Sequence, residues 1–135
     1  MHAKSLKKAL LKAVQEGSIT EIQSLLDRHA DIHAPNKFDD TPLHIAAEEG
    51  HLQCIELLLD RQADVNAPSM RGYASLHYAS AGGHRQCVEL LLDRHADINC
   101  RVVTYRSGYL VHGAVLFCNQ YWLITKERSV TVLLP

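Results

Sequence analysis

The apolar residues of this chain recur with a fixed spacing of 33 residues. The segment "TPLHIAAEEGHLQCIELLLD", residues 41–60, returns as "ASLHYASAGGHRQCVELLLD", residues 74–93. Residues 41–67 and 74–100 are identical at 16 of 27 positions. Residues 8–34 lie a further 33 residues back and share identical residues with 41–67, among them Leu10, Ala13, Gly17, Ile22 and Leu25. Self-similarity at this period predicts three stacked units and not one closed core.

Each unit is predicted to contain two short helices. In the middle unit the first helix is Pro42–Glu49, and Gly50 can adopt the left-handed backbone conformation that ends a helix. The second helix starts near Leu52 and carries Ile55 and Leu58 on one apolar face at helical spacing. Neither helix can bury its apolar face alone, so the pattern indicates that helix pairs pack on one another.

The residues at the start of the first helix have capping chemistry. The Thr41 hydroxyl can cap the helix, and Pro42 suits the first helical position, where no backbone donor is needed. We expect His44 to lie close enough to join adjacent loops by hydrogen bonds. In the third unit Ala74 and Ser75 replace the Thr-Pro pair. The cap there is therefore expected to be lost or shifted to Ser75, at a cost of about 1 kcal/mol.

The period, the paired helices and the string "TPLHIAA" resemble the ankyrin repeat, and the resemblance covers residues 6–100. It also includes Gly50-His51, the leucine triplet at 57–59 and "ADVN" at 63–66. The resemblance implies an all-α solenoid of stacked helix-turn-helix units with short hairpin-like loops. It divides the chain into a degenerate N-terminal capping repeat at 1–36, ankyrin repeats at 37–69 and 70–100, and a divergent tail at 101–135.

Composition and charge narrow the class of protein. The chain has 135 residues, 47% of them hydrophobic, and a formal net charge of −1, as in a soluble single domain. This balance does not favour a nucleic-acid partner, and the basic cluster of Lys4, Lys7, Lys8 and Lys12 is interpreted as a solvated helix face. Lysines interrupt the N-terminal apolar residues, so no secretory signal is predicted and a cytoplasmic or nuclear location is expected.

Cysteine and histidine are numerous enough to raise the question of chemistry. Cys54, Cys87, Cys100 and Cys118 form no Cys-x-x-Cys pair and are interpreted as reduced, buried small hydrophobes. The histidines His44 and His77 are related by the repeat, so we expect them about one repeat apart and not converging on one metal ion. No nucleophile elbow, phosphate loop or paired-carboxylate motif is present. We therefore expect no cofactor and no enzymatic activity.

The positions that vary between units are the candidates for recognition. Some lie in the turns before the first helices, and the others lie on those helices, where the resemblance implies a concave face. Aromatic residues, methionine and arginine are enriched in protein interfaces. The turn position Asp39 corresponds to Gly72, and aspartate tolerates the left-handed region that such a turn requires. The predicted partner-binding residues are Lys37, Phe38, Asp40, Glu48, Glu49, Met70, Arg71, Tyr73 and Ala81.

These residues predict a protein-interaction module, an adaptor, scaffold or inhibitor, whose partner is another protein. For Phe38 a second interpretation is kept, in which its ring packs under its own hairpin.

The tail after Cys100 lacks the period and allows three interpretations. In the first, residues 111–122 form a degenerate capping helix that packs on the third unit. In the second, the charge-free residues 107–125 span a membrane and make the chain a membrane-tethered signalling adaptor, although His112, Asn119 and Gln120 make this unfavourable. In the third, the tail is strand-forming or loosely ordered, and the open end of the stack favours self-association.

Overall fold

The computed structural model describes residues 3–70 and 72–97, together with the backbone of residues 101–102 and 111–112. Six helices occupy the first two ranges. They are α1 (Ala3–Glu16), α2 (Ile19–Asp27), α3 (Pro42–Glu49), α4 (Leu52–Asp60), α5 (Ser75–Ala81) and α6 (Arg85–Asp93). The two-residue strands β1 (Arg101–Val102) and β2 (Val111–His112) pair antiparallel, with Arg101 opposite His112.

The six helices form three pairs that stack in one direction. Within each unit α1 packs on α2, α3 on α4 and α5 on α6. Between units the first helices α1, α3 and α5 contact in that order, and the second helices α2, α4 and α6 do the same. The predicted all-α solenoid of helix pairs is therefore confirmed. The predicted limits of α3 and the predicted start of α4 at Leu52 are confirmed as well.

One continuous apolar cluster runs through the three pairs. Each unit contributes leucine from its first helix and a branched or sulfur side chain from its second, at the positions that recur with the period. At about 25 cal/mol per Å² of buried apolar surface, these contacts are the main source of stability. The members with essentially no exposure include Leu10, Val14, Ile22, Leu43, Cys54, Ile55, Leu58, Leu76 and Leu91.

The starts of α3 and α5 differ as the sequence predicts. At α3 the Thr41 hydroxyl accepts from the backbone N–H of His44, and Pro42 occupies the first helical turn. At α5 Ala74 stands at the cap and has no side-chain acceptor to offer. Ser75 is the first helical residue, and its buried hydroxyl has no hydrogen-bond partner among the described residues. The cap of α5 is thus lost and is not shifted to Ser75.

The helix ends require backbone in the left-handed region. Gly50 has φ of 75° after α3, and a Cβ there would lie 2.5 Å from the ring of His84. The second helices end differently, since His29, Gln62 and His95 occupy equivalent positions with φ of 66°, 67° and 70°. A side chain at such an angle costs about 1–2 kcal/mol relative to an ordinary conformation. The three second helices therefore each end in a strained residue.

Replacing one of these strained residues with glycine is expected to stabilise the stack. Gln62→Gly relieves the strain of the left-handed backbone conformation. Glycine also increases the conformational entropy of the unfolded chain, which offsets part of this gain. The free energy of unfolding should therefore rise by about 0.5–1 kcal/mol. The control is Gln53→Gly, inside α4, which should lower it by about 1 kcal/mol. Urea denaturation measures both variants. A loss of stability in Gln62→Gly would contradict the assignment of strain.

His44 joins two loops across the middle unit. The backbone N–H of Thr41 donates to its Nδ1 at 2.9 Å, so this nitrogen is unprotonated and Nε2 carries the hydrogen. Nε2 donates to the carbonyl oxygen of Ala67 at 2.8 Å. The expected loop-to-loop role of His44 is therefore confirmed, and it requires a neutral ring. Burial lowers the pKa of His44 below its ordinary value of 6.5, although the bond to Ala67 and the charge of Asp40 oppose the shift.

The lowered pKa of His44 predicts a loss of stability in acid. Between the folded pKa and 6.5 the unfolded chain binds more protons than the folded chain, so the free energy of unfolding falls as pH falls. The contribution of the neutral His44 ring to the free energy of unfolding is complete above pH 6.5, and it is lost as the pH decreases through the pKa of His44 in the folded protein. Urea midpoints at descending pH, with the His44 ring followed by NMR, check this expectation. A His44 pKa at or above 6.5 in the folded protein would contradict it.

Two further histidines connect successive units. His51 Nε2 donates to the carbonyl oxygen of Gln15 at 3.0 Å, and His84 Nε2 donates to that of Glu48 at 2.8 Å. Ion pairs repeat in the same way on the second helices, from Arg61 to Asp27 at 3.1 Å and from Arg94 to Asp60 at 2.8 Å. The ion pairs are exposed and contribute little. The histidine bonds fix the angle between units because they are directional.

The structure describes the lysines of the first unit, but it describes little of the tail. Lys4, Lys8 and Lys12 are exposed and Lys7 is half-buried on α1, in agreement with a solvated helix face. Of residues 107–125, which include the predicted capping helix at 111–122, the structure describes only the backbone of Val111–His112, and these two residues form β2 and not the start of a helix. The rest of that segment lies outside the described residues. Within the described part of the chain, no helix is both long and apolar enough to span a bilayer.

Candidate functional site

Two hairpin-like loops project before α3 and α5 and are called the first finger (residues 36–40) and the second finger (residues 69–73). Backbone bonds from Asn36 to Asp40 and from Ser69 to Tyr73, both 2.9 Å, close them. In the first finger the Asn36 side chain also accepts from two backbone N–H groups within the loop. Asp39 has φ of 59° and Gly72 has φ of 81°, which confirms that aspartate adopts the left-handed turn.

The finger tips expose large apolar side chains. Phe38 is 55% exposed and Met70 is 65% exposed, and they are the exposed large hydrophobic residues of the described part of the chain. The backbone N–H of Met70 donates to the carbonyl oxygen of Phe38 at 3.3 Å, which holds the two tips together. The Lys37 ammonium lies 4.9 Å from the centre of the Phe38 ring. Phe38 is therefore not packed under its own hairpin.

A cavity of about 280 Å³ lies at the base of the second finger, where it meets the first helices. Its wall combines residues of α3, the second finger and α5, so it exists only because the units stack. The lining is mostly apolar, with one carboxylate. The lining residues are Glu48, Tyr73, His77, Tyr78 and Ala81.

Aromatic rings form the back of the cavity. The Tyr73 ring lies 5.5 Å from His77 and 6.2 Å from Tyr78, with interplanar angles of 71° and 67°. The Tyr78 ring in turn lies 5.3 Å from the His44 ring. Edge-to-face contacts of this kind contribute about 0.5–1.5 kcal/mol each beyond burial. The rings are thus held in fixed positions and present a preformed surface.

Tyr78 connects the cavity to the first finger. Its hydroxyl donates to the Asp40 carboxylate at 2.5 Å. Burial, followed by this bond to Asp40, raises the pKa of Tyr78 to about 12. Asp40 is half-buried in this arrangement. The predicted partner-binding residue Asp40 therefore orients Tyr78 and fixes the finger against α5.

Negative charge accumulates at the mouth of the cavity. Glu48 and Glu49 are exposed at the end of α3, and Asp40 lies near Glu48. Glu48 is exposed as a whole, but partial desolvation of its carboxyl group raises its pKa, and the charges of Asp40 and Glu49 raise it further. In residues 3–70 and 72–97, the ion pairs are formed by other carboxylates. Glu48 of the cavity lining and the two carboxylates near it therefore form no ion pair with a basic side chain of the described region.

The structure brings together some of the predicted site residues and adds others. The predicted residues that line the cavity are Glu48, Tyr73 and Ala81. The predicted residues at the finger tips are Lys37, Phe38 and Met70. Asp40 connects the first finger to the cavity through its bond with Tyr78. Glu49 is exposed beside Glu48, and Arg71 lies outside the described residues. Sequence reasoning missed His77 and Tyr78. The signal for Tyr78 was an aromatic residue where the middle unit has Ile45.

The histidines and cysteines of the described region could in principle bind a metal ion or act as nucleophiles. No group of three or more metal-ligating side chains comes together there. Cys54 and Cys87 are free and buried, and burial raises the pKa of each thiol. Both therefore stay protonated near neutral pH and behave as small core residues. Cys100 and Cys118 lie outside the described residues.

A stack of helix pairs with projecting fingers defines a repeat protein whose binding surface is built from neighbouring units. The ankyrin-repeat family matches residues 10–102 in three copies, and the chain belongs to that family. No curated protein matches the chain. Ankyrin repeats are generally protein–protein interaction modules, so a protein partner is indicated.

The bond between Asp40 and Tyr78 can be tested by titration. Asp40→Asn should lower the Tyr78 pKa from about 12, because it removes the carboxylate that disfavours the phenolate. The value should stay above the ordinary 10, since burial remains the larger cause. NMR of the Tyr78 ring in alkaline solution measures the change. Asp39→Asn, in the neighbouring exposed position, is the control and should leave the Tyr78 pKa as it is.

Proposed function

We propose that the chain is an adaptor or inhibitor that holds a segment of a partner protein against the finger tips and the cavity beneath them. The observation that carries the proposal is the position of Phe38 and Met70, which are exposed together on adjacent tips and joined through their backbones. Solvent-exposed large apolar side chains placed side by side are typical of binding surfaces.

The surface around the tips has the composition of an interface. Tyr73 and Tyr78 supply rigid aromatic area, and Glu48 and Glu49 supply a polar rim. Aromatic residues, methionine and arginine are enriched in interfaces, and the energetically important ones are surrounded by contacts that exclude water. We propose that the partner lies across both fingers because each finger offers one of the two exposed large apolar side chains, Phe38 and Met70. The proposed location remains the cytoplasm or nucleus, where such a partner would be met.

The finger tips can be tested by a double substitution that leaves the fold intact. Phe38→Ser with Met70→Ser removes the exposed apolar area, and both side chains are more than half exposed, so stability should change by no more than about 0.5 kcal/mol. Partners captured from a cytosolic extract by the wild type, identified by mass spectrometry, should be lost from the variant. Loss of a central interface residue typically weakens binding by about tenfold or more.

The matched control is Gln53→Ser with Gln86→Ser, two exposed positions on the second helices away from the fingers. This variant should retain every partner of the wild type, and circular dichroism should show equal helicity in all three proteins. Retention of all partners by the finger variant, with the helical content unchanged, would refute the proposed surface.

A further inference from the structure

The cavity beneath the second finger has room for one long side chain. At about 280 Å³ it is slightly smaller than pockets that take drug-sized molecules, which occupy roughly 300–1,000 Å³. Tyr73 of the second finger lines it, so a segment bound across Phe38 and Met70 can continue along that finger to the cavity. A partner residue can therefore place its side chain in the cavity while the neighbouring residues contact the tips.

The walls of the cavity suit a side chain with an apolar stem. Tyr73, Tyr78 and Ala81 provide most of the lining, and the two tyrosine rings are fixed by their contacts with each other and with the histidines. Aromatic faces attract cations, and the planar guanidinium group also stacks on them. A long side chain with a positive end can contact both kinds of surface at once.

The carboxylates near the cavity favour a positive charge at the end of that side chain. Glu48 lies on the lining itself, with Asp40 and Glu49 close enough to disfavour its ionised form. These carboxylates repel one another, and in the described region they form no ion pair. A positive group that reaches these carboxylates relieves the repulsion and donates to them, whereas a neutral donor can form the hydrogen bonds but leaves the repulsion in place.

We propose that the cavity lined by Glu48, Tyr73 and Tyr78 is an anchor site for an arginine side chain of the partner segment. The stem lies along the tyrosine rings, and the guanidinium donates to the Glu48 carboxylate at the mouth. Arginine is favoured over lysine because it presents several donors in one plane and stacks on aromatic rings. This inference rests on the proposed protein-binding function and names the chemistry of the partner.

The test uses a single-residue probe, so it does not depend on knowing the partner. N-acetyl-arginine methylamide is titrated into the full chain and followed by nitrogen–proton correlation NMR, with the neutral isostere N-acetyl-citrulline methylamide as the comparison. The arginine probe should shift the amide signals of Glu48, Tyr78 and Ala81. It should bind roughly two- to five-fold more tightly than the citrulline probe, as expected for a partly exposed charge pair.

Variants separate the cavity from the rest of the surface. Glu48→Gln should abolish the preference for arginine over citrulline, and Glu56→Gln, at an exposed position on α4, should preserve it. Equal binding of the two probes by the wild type, or shifts confined to residues outside the cavity, would overturn the proposal.

The outcomes also separate this inference from the proposed function. If partner capture requires Phe38 and Met70 but is unaffected in Glu48→Gln, the finger surface stands and the arginine site fails. If the arginine probe binds the cavity with the stated preference and the finger variant still captures every partner, the arginine site stands and the finger surface fails.

Discussion

Each helix pair depends on its neighbour to bury the apolar face that it cannot cover by itself. Leu43 of α3 and Leu76 of α5 belong to one cluster that continues from the first unit to the third. Because this packing is non-directional, it sets the order of the stack more strongly than the angle between units. The stack is stable only as a cooperative array, since every interface is shared by two units.

Directional hydrogen bonds supply the orientation that packing leaves open. His44 bonds both the cap of its own helix and a carbonyl of the loop after α4, and His84 reaches back to the end of α3. These bonds place each finger relative to the helices of its own and the preceding unit. His44 and His84 thereby help to set the position of the proposed recognition surface, and the His44 ring also contacts Tyr78 of the cavity wall.

The proposed recognition surface is built mainly from residues that vary between the repeats. Phe38 and Met70 occupy turn tips in which Asp39 and Gly72 adopt the left-handed region, and more than half of each side chain is exposed. The cavity differs because its wall includes Tyr78, which is half-buried and bonded to Asp40. We therefore expect a substitution of Tyr78 to change local packing as well as binding at the proposed surface, whereas a substitution of Phe38 or Met70 should change chiefly the binding.

The sequence by itself determined the period, the helix pairs and the fingers, because capping and helix-ending residues such as Thr41 and Gly50 act within a few positions of their own location. It also indicated the exposed tips, since Phe38 and Met70 stand where the repeats vary. Only the tertiary structure decided that Glu48, Tyr73 and Tyr78 enclose one cavity and that Asp40 bonds Tyr78. Those contacts join different repeats, and a period states which residues are equivalent but not which side chains from neighbouring units meet.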